Sequence, residues 1–553
     1  NLGAHYTPRA YVERLVVATL IEPLRNDWRN VLTTAESQKF AGRTADAIAT
    51  VSAFHNRLCN TRILDPACGT GNFLYVALER MKRLEGEILE ALANLGGQET
   101  LIGLQSHTIG PHQFLGLEIN PRAAAIAKLV LWIGYLQWSL RTKGGFPDDP
   151  VLRAYHNITV TDAVLEADIT LARDKTGKPI IRRTPSGAET ETYTYKKPRR
   201  PKWPEADFII GNPPFIGGKD LRARLGDAHA EALWAAHPAM NDSADFVMYW
   251  WDHAADLLTK PKSRLRRFGF VTTNSITQTF QRRTIERHLS AKRPLTLTLA
   301  IPDHPWTKST PDAAAVRIAM TVAQCGDCDA KLLTIQTESG LDTDAPDLTF
   351  TETKGRINAD LSVGTDVTTA IPLKANDGVC SPGVKLHGAG FIVTPAQARH
   401  LGLGARPGLD RHIRPYRNGR DLTAHSRNAM VIDLDGLAID EIRERYPEVY
   451  QHLHVTVKPE RDTNNEEYRR LNWWLFGRKN TLMRGFTNGL HRYIVTVETA
   501  KHRVFQFLPA DIIPDNKLVA IGSDDAFTLG ILSSRIHVAW ALTSGGWLGM
   551  GND

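Results

Sequence analysis

Ile63-Leu64-Asp65-Pro66-Ala67-Cys68-Gly69-Thr70-Gly71-Asn72-Phe73-Leu74 decides the fold class. A short apolar strand ends on a carboxylate. Small residues and two glycines follow, then a helix pattern through Leu74, Val76, Ala77 and Met81. Strand, Gly-rich turn and helix in that order form the first unit of a doubly wound α/β sheet. The glycines let a ligand approach the backbone closely. The loop has neither Gly-x-Gly-x-x-Gly nor the lysine of a phosphate-binding loop, which argues against a pyrophosphate. An aspartate at the strand end suits a cationic or amino-bearing ligand instead. S-adenosylmethionine carries both an ammonium and a sulfonium.

Two further strand ends carry carboxylates. Phe114-Leu-Gly-Leu-Glu118-Ile119 reads as the second strand, and an acidic residue at its end is where a ribose diol would be held. Pro121 then opens a long apolar helix through Ile126, Leu129, Trp132 and Leu136. Ile158-Thr-Val-Thr-Asp162-Ala163 is a third strand, whose aspartate supplies an amino-group acceptor near an adenine ring. Upstream, Thr7-Pro8 reads as a helix start, with Thr7 as N-cap and Pro8 at the first helical position. Strands and helices alternate from residue 60 to about 325, the last two strands at 295–301 and 315–323, which argues a largely parallel sheet.

Phe208-Ile-Ile210 then breaks into Gly211-Asn212-Pro213-Pro214-Phe215. The prolines fix the backbone and remove two donors. Asn212 Oδ1 and the Pro213 carbonyl can both accept from one NH2 group, while Phe215 offers a face to a flat ring. An exocyclic amine is a poor nucleophile because its lone pair is delocalised. Two acceptors pulling on its hydrogens favour the pyramidal form that attacks a methyl group. A proline-rich turn closing a strand would look the same in isolation.

At 553 residues the chain needs two or three cores. No apolar run approaches the ~20 residues needed to span a bilayer. There is no signal peptide, and a start on Asn1 rather than Met leads us to expect upstream sequence. Five scattered cysteines fit a reducing cytoplasm. Cys325-Gly-Asp-Cys328 lacks the second ligand pair of a zinc site and reads as a hairpin turn. Between 168 and 203 a basic insertion, with Lys-Lys-Pro-Arg-Arg at 196–200, reads as a hairpin: a solvated loop or a DNA contact. Residues 336–385 are dominated by Thr, Asp and Gly with weak periodicity, and read as a linker or small irregular module. Residues 386–553 carry short strands, arginines and clustered aromatics, with Asp525–Trp540 as one amphipathic helix. Residues 399–503 hold 19 Lys and Arg against 13 Asp and Glu, nearly all of the chain's net charge of +7. Arg414, Arg417 and Arg420, and Arg478 and Arg484 after Trp473-Trp474, fit a nucleic-acid groove. Asp347, Glu352 and Lys354 superficially match a nuclease metal set, but five residues leave too little chain for its usual geometry.

In this order the motifs resemble gamma-type N6-adenine DNA methyltransferases, in particular the methyltransferase and recognition domains of Type IIG/IIL restriction–modification enzymes. Related enzymes occur in DISARM and BREX phage defence. The resemblance implies an α/β, Rossmann-like class I methyltransferase over residues 1–335 and a mixed α+β target-recognition domain over 386–553. It implies that S-adenosylmethionine is bound by Tyr6, Thr7 and Pro8, by Asp65, Ala67, Cys68, Gly69, Gly71, Asn72 and Phe73, by Glu118 and Ile119, by Asp162 and Ala163, and by Asn212. S-adenosylhomocysteine is the expected product, and no metal is expected. Asn212, Pro213, Pro214 and Phe215 are the expected catalytic residues. The family's second aromatic, on the base's opposite face, falls to Trp306 or Phe280, with Arg282 and Arg283 close to DNA. Double-stranded DNA is the expected partner, with restriction or defence subunits, or an upstream nuclease, as further ones, in a prokaryotic cytoplasm. N4-cytosine methylation, glutamine or RNA-guanine N-methylation, and an inactive DNA-binding scaffold are the alternatives.

Overall fold

The computed structural model describes residues 7–96, 107–143, 156–183, 189–306, 317–341, 343, 346–367, 370–464, 466–500 and 502–544. Tyr6 lies outside them. The chain divides into two compact units, Asn1–Thr368 and Thr369–Asp553.

In the first unit, helices α1 (Arg9–Val16), α2 (Glu22–Phe40) and α3 (Thr44–Cys59) precede the sheet. Strand β1 (Ile63–Asp65) leads into α4 (Asn72–Asn94), and β2 (Phe114–Glu118) into α5 (Pro121–Lys143) and then β3 (Ile158–Val160). The insertion forms β4 (Glu166–Leu171), β5 (Ile181–Arg183), β6 (Glu189–Glu191) and β7 (Tyr193–Arg199), paired as β4 with β7 and β5 with β6, all antiparallel. The sheet resumes with β8 (Phe208–Gly211), helices α6 (Asp227–Ala236) and α7 (Val247–Thr259), β9 (Arg267–Thr273), α8 (Thr279–Leu289), β10 (Leu295–Pro305), β11 (Arg317–Cys325), β12 (Lys331–Ser339) and β13 (Asp347–Lys354). Nine strands lie in the order β13-β12-β10-β11-β9-β8-β1-β2-β3. Only β11 and β13 run against the rest. Aliphatic and aromatic side chains cover both faces, Tyr11, Leu74 and Met81 belonging to one cluster and Tyr249, Trp251 and Phe268 to the other.

Several expectations change on contact with the fold. Residues 336–339 and 347–354 are not linker: β13 pairs with β12 along its whole length as the sheet edge. Its outward residues are Thr, Asp, Glu and Lys, so an edge strand with one half-wet face read as irregular. Asp347, Glu352 and Lys354 all lie exposed on this one strand. Cys325-Gly-Asp-Cys328 is not a hairpin turn, because β12 pairs with β10 rather than with β11 and the chain crosses over β10. Helix α1 starts one residue later than expected, with Pro8 at its cap and no side-chain capping bond; the Thr7 hydroxyl is engaged elsewhere. Pro121–Arg141 is, by length and composition alone, long and apolar enough to cross a membrane. Its apolar inner side, with Ala124, Ala127 and Leu131, is buried in this unit, while Ile126, Leu129, Ile133 and Leu140 remain exposed on the outer stripe. A helix apolar on both sides is what the sequence reading underweighted.

The second unit has two four-stranded sheets. In chain order its strands are β14 (Cys380–Pro382), β15 (Ile392–Val393), β16 (Ile413–Arg417), β17 (Met430–Ile432), β18 (Arg492–Val497), β19 (Phe505–Pro509), β20 (Ile513–Pro514) and β21 (Leu518–Ile521). The sheets run β14-β21-β18-β19 and β15-β17-β16-β20. Short helices, among them α9 (Pro447–Thr456), close over a core containing Phe391, Tyr446, Leu453 and Tyr493. The single helix expected over Asp525–Trp540 is two, α10 (Ala526–Leu532) and α11 (Arg535–Ser544), parted at Ser533-Ser534. The Ser534 hydroxyl accepts from the His537 N–H and so starts the second helix.

Candidate active site

Strand β1 is flanked by β2 on one side and β8 on the other, both parallel to it. The sheet therefore changes winding direction at β1, and ligands of open α/β sheets bind beyond the carboxyl ends of such strands. Asp65, Glu118 and Asn212 sit at or just after the ends of β1, β2 and β8.

Asp65 is buried, and its Oδ1 accepts from the Ala67 N–H at 3.0 Å. Burial pushes its carboxyl up to about 8, with a further push from Glu118. The strand beside it must carry glycine: a Cβ on Gly211 would lie 2.6 Å from Asp65 Oδ1. The loop then turns through Gly69 (φ +54°) and Gly71 (φ +89°), a left-handed backbone that side chains rarely adopt. Glu118 closes this loop onto β2. Its Oε2 accepts from the Gly69 N–H at 2.9 Å and its Oε1 from the Asn120 N–H at 2.8 Å. Ile119 beside it is 57% exposed, an apolar surface at the mouth of the site. At the third strand end, Asp162 Oδ1 accepts from the Val164 and Leu165 N–H groups at 2.8 and 3.0 Å, and Ala163 is buried.

The Asn212–Phe215 turn is tied to these loops by Thr7. The Asn72 amide donates to the Thr7 carbonyl at 2.8 Å, and Asn212 Nδ2 donates to Thr7 Oγ1 at 2.9 Å. Asn212 Oδ1 is buried and has no partner among the described residues. Its donor end is fixed while its acceptor end is held open, and an unmet buried acceptor is costly unless a ligand supplies the hydrogen. Phe215, half-buried, meets Trp306 edge to face at a centroid distance of 6.4 Å. Trp306 is set in turn by Tyr11, at 5.8 Å. Of the two aromatics expected opposite Phe215, Trp306 is thus the one beside it. Phe280 is 44% exposed on α8.

Sequence reasoning missed the residues that brace this site. Asp245 accepts from the Gly218 N–H at 3.1 Å and from the Thr273 and Ser275 hydroxyls at 3.1 and 2.5 Å, holding the chain after Phe215. Trp250 Nε1 donates to the Pro66 carbonyl at 3.0 Å. No motif announces them, because each acts through a backbone group far away in sequence. His55, Cys59 and Glu85 come within reach of one another, but the Glu85 carboxylate already accepts from Lys82, Thr108 and the Ile109 N–H, which marks a buried ion-pair network.

Several expected DNA-contacting cations have internal partners. Arg282 pairs with Glu286, and Arg484 grips Asp433 through two bonds of 2.8 and 3.0 Å. Arg414 donates to the carbonyls of Ala510 and Asp511, and Arg417 to that of Tyr416. Trp473 is buried in the core rather than lining a groove. Arg283, Arg420 and Arg478 are exposed.

Comparison with known proteins agrees with this geometry. The family described as "MmeI, DNA-methyltransferase domain" matches residues 24–333. DNA methyltransferase A of Bacillus subtilis (strain 168) is 23% identical over 323 residues, covering 58% of this chain and 31% of that protein. The solved structure of the Type IIL restriction–modification enzyme MmeI in complex with DNA is 22% identical with a TM-score of 0.68, covering 99% of this chain and 66% of that one. The chain thus spans about a third of the curated relative and two thirds of the solved one, sharing with the latter a Rossmann-like methyltransferase core followed by a mixed α+β unit. It belongs to the MmeI DNA-methyltransferase family.

Proposed function

We propose that this chain is a site-specific DNA methyltransferase that uses S-adenosylmethionine to methylate adenine N6, as part of a restriction–modification or phage-defence system. The observation that carries this reading is the buried, unpartnered Asn212 Oδ1 beside a carbonyl that proline rigidifies.

The cofactor fits the residues present. A buried carboxyl at Asp65 suits an ammonium-bearing ligand, and a left-handed Gly turn leaves backbone room beside it. Family membership implies dependence on S-adenosylmethionine. Thr7, Pro8 and the 65–73 loop would surround the methionine part, Glu118 the ribose hydroxyls, Ile119 a face of the purine, and Asp162 its amine, with Ala163 alongside. When bound, S-adenosylmethionine supplies a methyl group already activated on a sulfonium.

The chain's own contribution is positioning and polarisation. Asn212 Oδ1 and the Pro213 carbonyl accept the two hydrogens of the target amine, and Thr7 keeps the Asn212 amide from rotating. Pro214 holds the turn, and Phe215 and Trp306 wall the flat ring. A base inside a duplex cannot reach this pocket, so it is flipped out, at a cost of roughly a few kcal/mol that stacking and the two acceptors offset. Attack needs no general base, because the donor is activated and the amine is polarised as it is held. The second unit, with exposed Arg420 and Arg478, reads the site and binds phosphates; Arg283 and the basic β4–β7 insertion lie on the first unit for the same use.

The test is to incubate the protein with labelled S-adenosylmethionine and unmethylated genomic DNA, then digest the DNA to nucleosides. Label in N6-methyladenine at one sequence motif is expected. Label in N4-methylcytosine, in protein or in RNA, or no label at all, overturns the reading.

A further inference from the structure

Two aromatic rings that no motif includes hold the backbone carbonyls next to Asp162. The 162–165 turn is short, and one carboxylate oxygen and two carbonyls of it are held by hydrogen bonds. Asp162 Oδ1 is anchored to the Val164 and Leu165 N–H groups. The Ala163 carbonyl accepts from Trp203 Nε1 at 2.8 Å, and the Val164 carbonyl accepts from His237 Nε2 at 2.7 Å. Both rings are buried, at 7% and 4% exposure. Trp203 lies against the His253 ring at 4.1 Å, and His237 meets Tyr249 edge-on at 5.0 Å, so neither ring can swing without moving α7. Indole offers one donor and no acceptor. Neutral His237 donates from Nε2 in the tautomer that leaves Nδ1 bare, and the buried Nδ1 has no partner among the described residues. The two donors sit on either side of the catalytic turn in sequence, Trp203 just before β8 and His237 just after α6. A third ring, Trp250 on α7, does the same for the first loop through the Pro66 carbonyl.

We propose that Trp203 and His237 are positioning residues for cofactor recognition: by fixing the carbonyls of Ala163 and Val164 they set the carboxylate of Asp162 to meet the purine's exocyclic amine. The proposal rests on the assignment of Asp162 to that amine. Neither ring touches the reacting atoms. Their effect is on which purine the site accepts, not only on how tightly the protein folds, and Trp250 acts on a different loop and has no part in that choice.

Calorimetry on the full chain with S-adenosylhomocysteine and its 6-deamino analogue, in which an unsubstituted purine replaces adenine, separates these effects. The analogue lacks the amine and otherwise keeps the ligand. The wild-type protein should prefer the amine by about tenfold or more, since an unmet buried acceptor is the penalty. Asp162→Asn should abolish most of that preference. Trp203→Phe and His237→Leu should reduce it toward parity, His237→Gln should restore part of it through its amide donor, and Trp250→Phe should weaken both ligands equally. Thermal melts identify any variant that fails to fold, and Trp203→Phe with His237→Gln carry the test if His237→Leu is lost. If Asp162→Asn loses the preference while Trp203→Phe and His237→Leu keep it, the positioning role is overturned and the Asp162 assignment survives. If the wild-type protein shows no preference, the Asp162 assignment falls and takes the positioning role with it.

Discussion

The two halves of the site satisfy their polar groups in opposite ways. On the side proposed for the cofactor, Glu118 takes an N–H on each oxygen, Asp162 takes two on one, and the carbonyls of Pro66, Ala163 and Val164 each receive a ring donor. On the side proposed for the target base, Asn212 is tied by its donor end and, among the described residues, left open at its acceptor end. A loop that binds must exist in one shape before its ligand arrives, so its own bonds close it. A group that polarises a reacting amine must keep an empty acceptor, because any internal partner would compete with the substrate. The largest test of that contrast is Asn212→Ala. Methyl transfer should fall on the order of 10²–10³-fold, the loss typical of removing one polarising group from a preorganised site. Calorimetric affinity for S-adenosylhomocysteine should stay unchanged. Lost binding would mean that Asn212 belongs to the cofactor side after all.

Thr7 probes the joint between the halves. Thr7→Val keeps the shape of the side chain and removes the acceptor for Asn212 Nδ2. The freed amide can then turn its nitrogen toward the target amine, so kcat should drop by about tenfold, roughly one hydrogen bond to a buried group. Thr7→Ser should restore most of it. Equal turnover in Thr7→Val and wild type would show that the Asn212 rotamer is set by the prolines alone.

How much of this was legible follows from where each bond acts. Strand ends carrying Asp65, Glu118 and Asp162, and the turn at Asn212, were readable because local backbone chemistry limits which residues can sit there: carboxylates at strand ends, glycines at positive φ, prolines in the turn. The order of motifs added the fold. Thr7 was expected as a helix cap and, through the resemblance, as a cofactor contact; its bond to Asn212 was not foreseen, because a Thr-Pro pair spells a cap whether or not the hydroxyl is used for one. Trp203, His237, Trp250 and Asp245 were invisible, since a side chain that donates to or accepts from the backbone of a distant loop leaves no spacing to read. Arg414 and Arg484 were legible only as charge. Sequence shows that an arginine is basic, and only packing shows whether a carbonyl or carboxylate has already claimed it.

Asp65 gives the contrast a pH dependence. Its folded-state carboxyl sits at about 8 because it is buried, well above the ordinary 3.8. The folded protein therefore binds this proton more tightly than the unfolded chain does. Stability from this group is fully present below about pH 4 and is lost as pH rises through 8. The melting temperature of the ligand-free protein should fall between pH 6 and 9 more steeply in wild type than in Asp65→Asn, which has no proton to lose. A cationic ligand beside the carboxylate favours the ionised form, so S-adenosylhomocysteine should release a proton on binding near pH 7, seen as a dependence of calorimetric heat on buffer ionisation enthalpy. Parallel slopes for the two proteins would place Asp65 in water rather than in the fold.

The smallest effects lie in the second unit, where the same distinction between closed and open groups sorts the arginines. Arg484 is closed onto Asp433, whereas Arg420 and Arg478 are exposed and pair with no carboxylate among the described residues. Arg484→Ala leaves a buried carboxylate without its cation, so its main effect should be a lower melting temperature. Arg420→Ala and Arg478→Ala should leave the melting temperature alone. Each should weaken DNA binding a few-fold and flatten the slope of log K against log salt by about 0.9, the share of one neutralised phosphate. If Arg484→Ala flattens that slope while the exposed pair does not, then burial and internal pairing do not mark which cations serve the fold, and the basic face that binds DNA must be sought elsewhere on the unit.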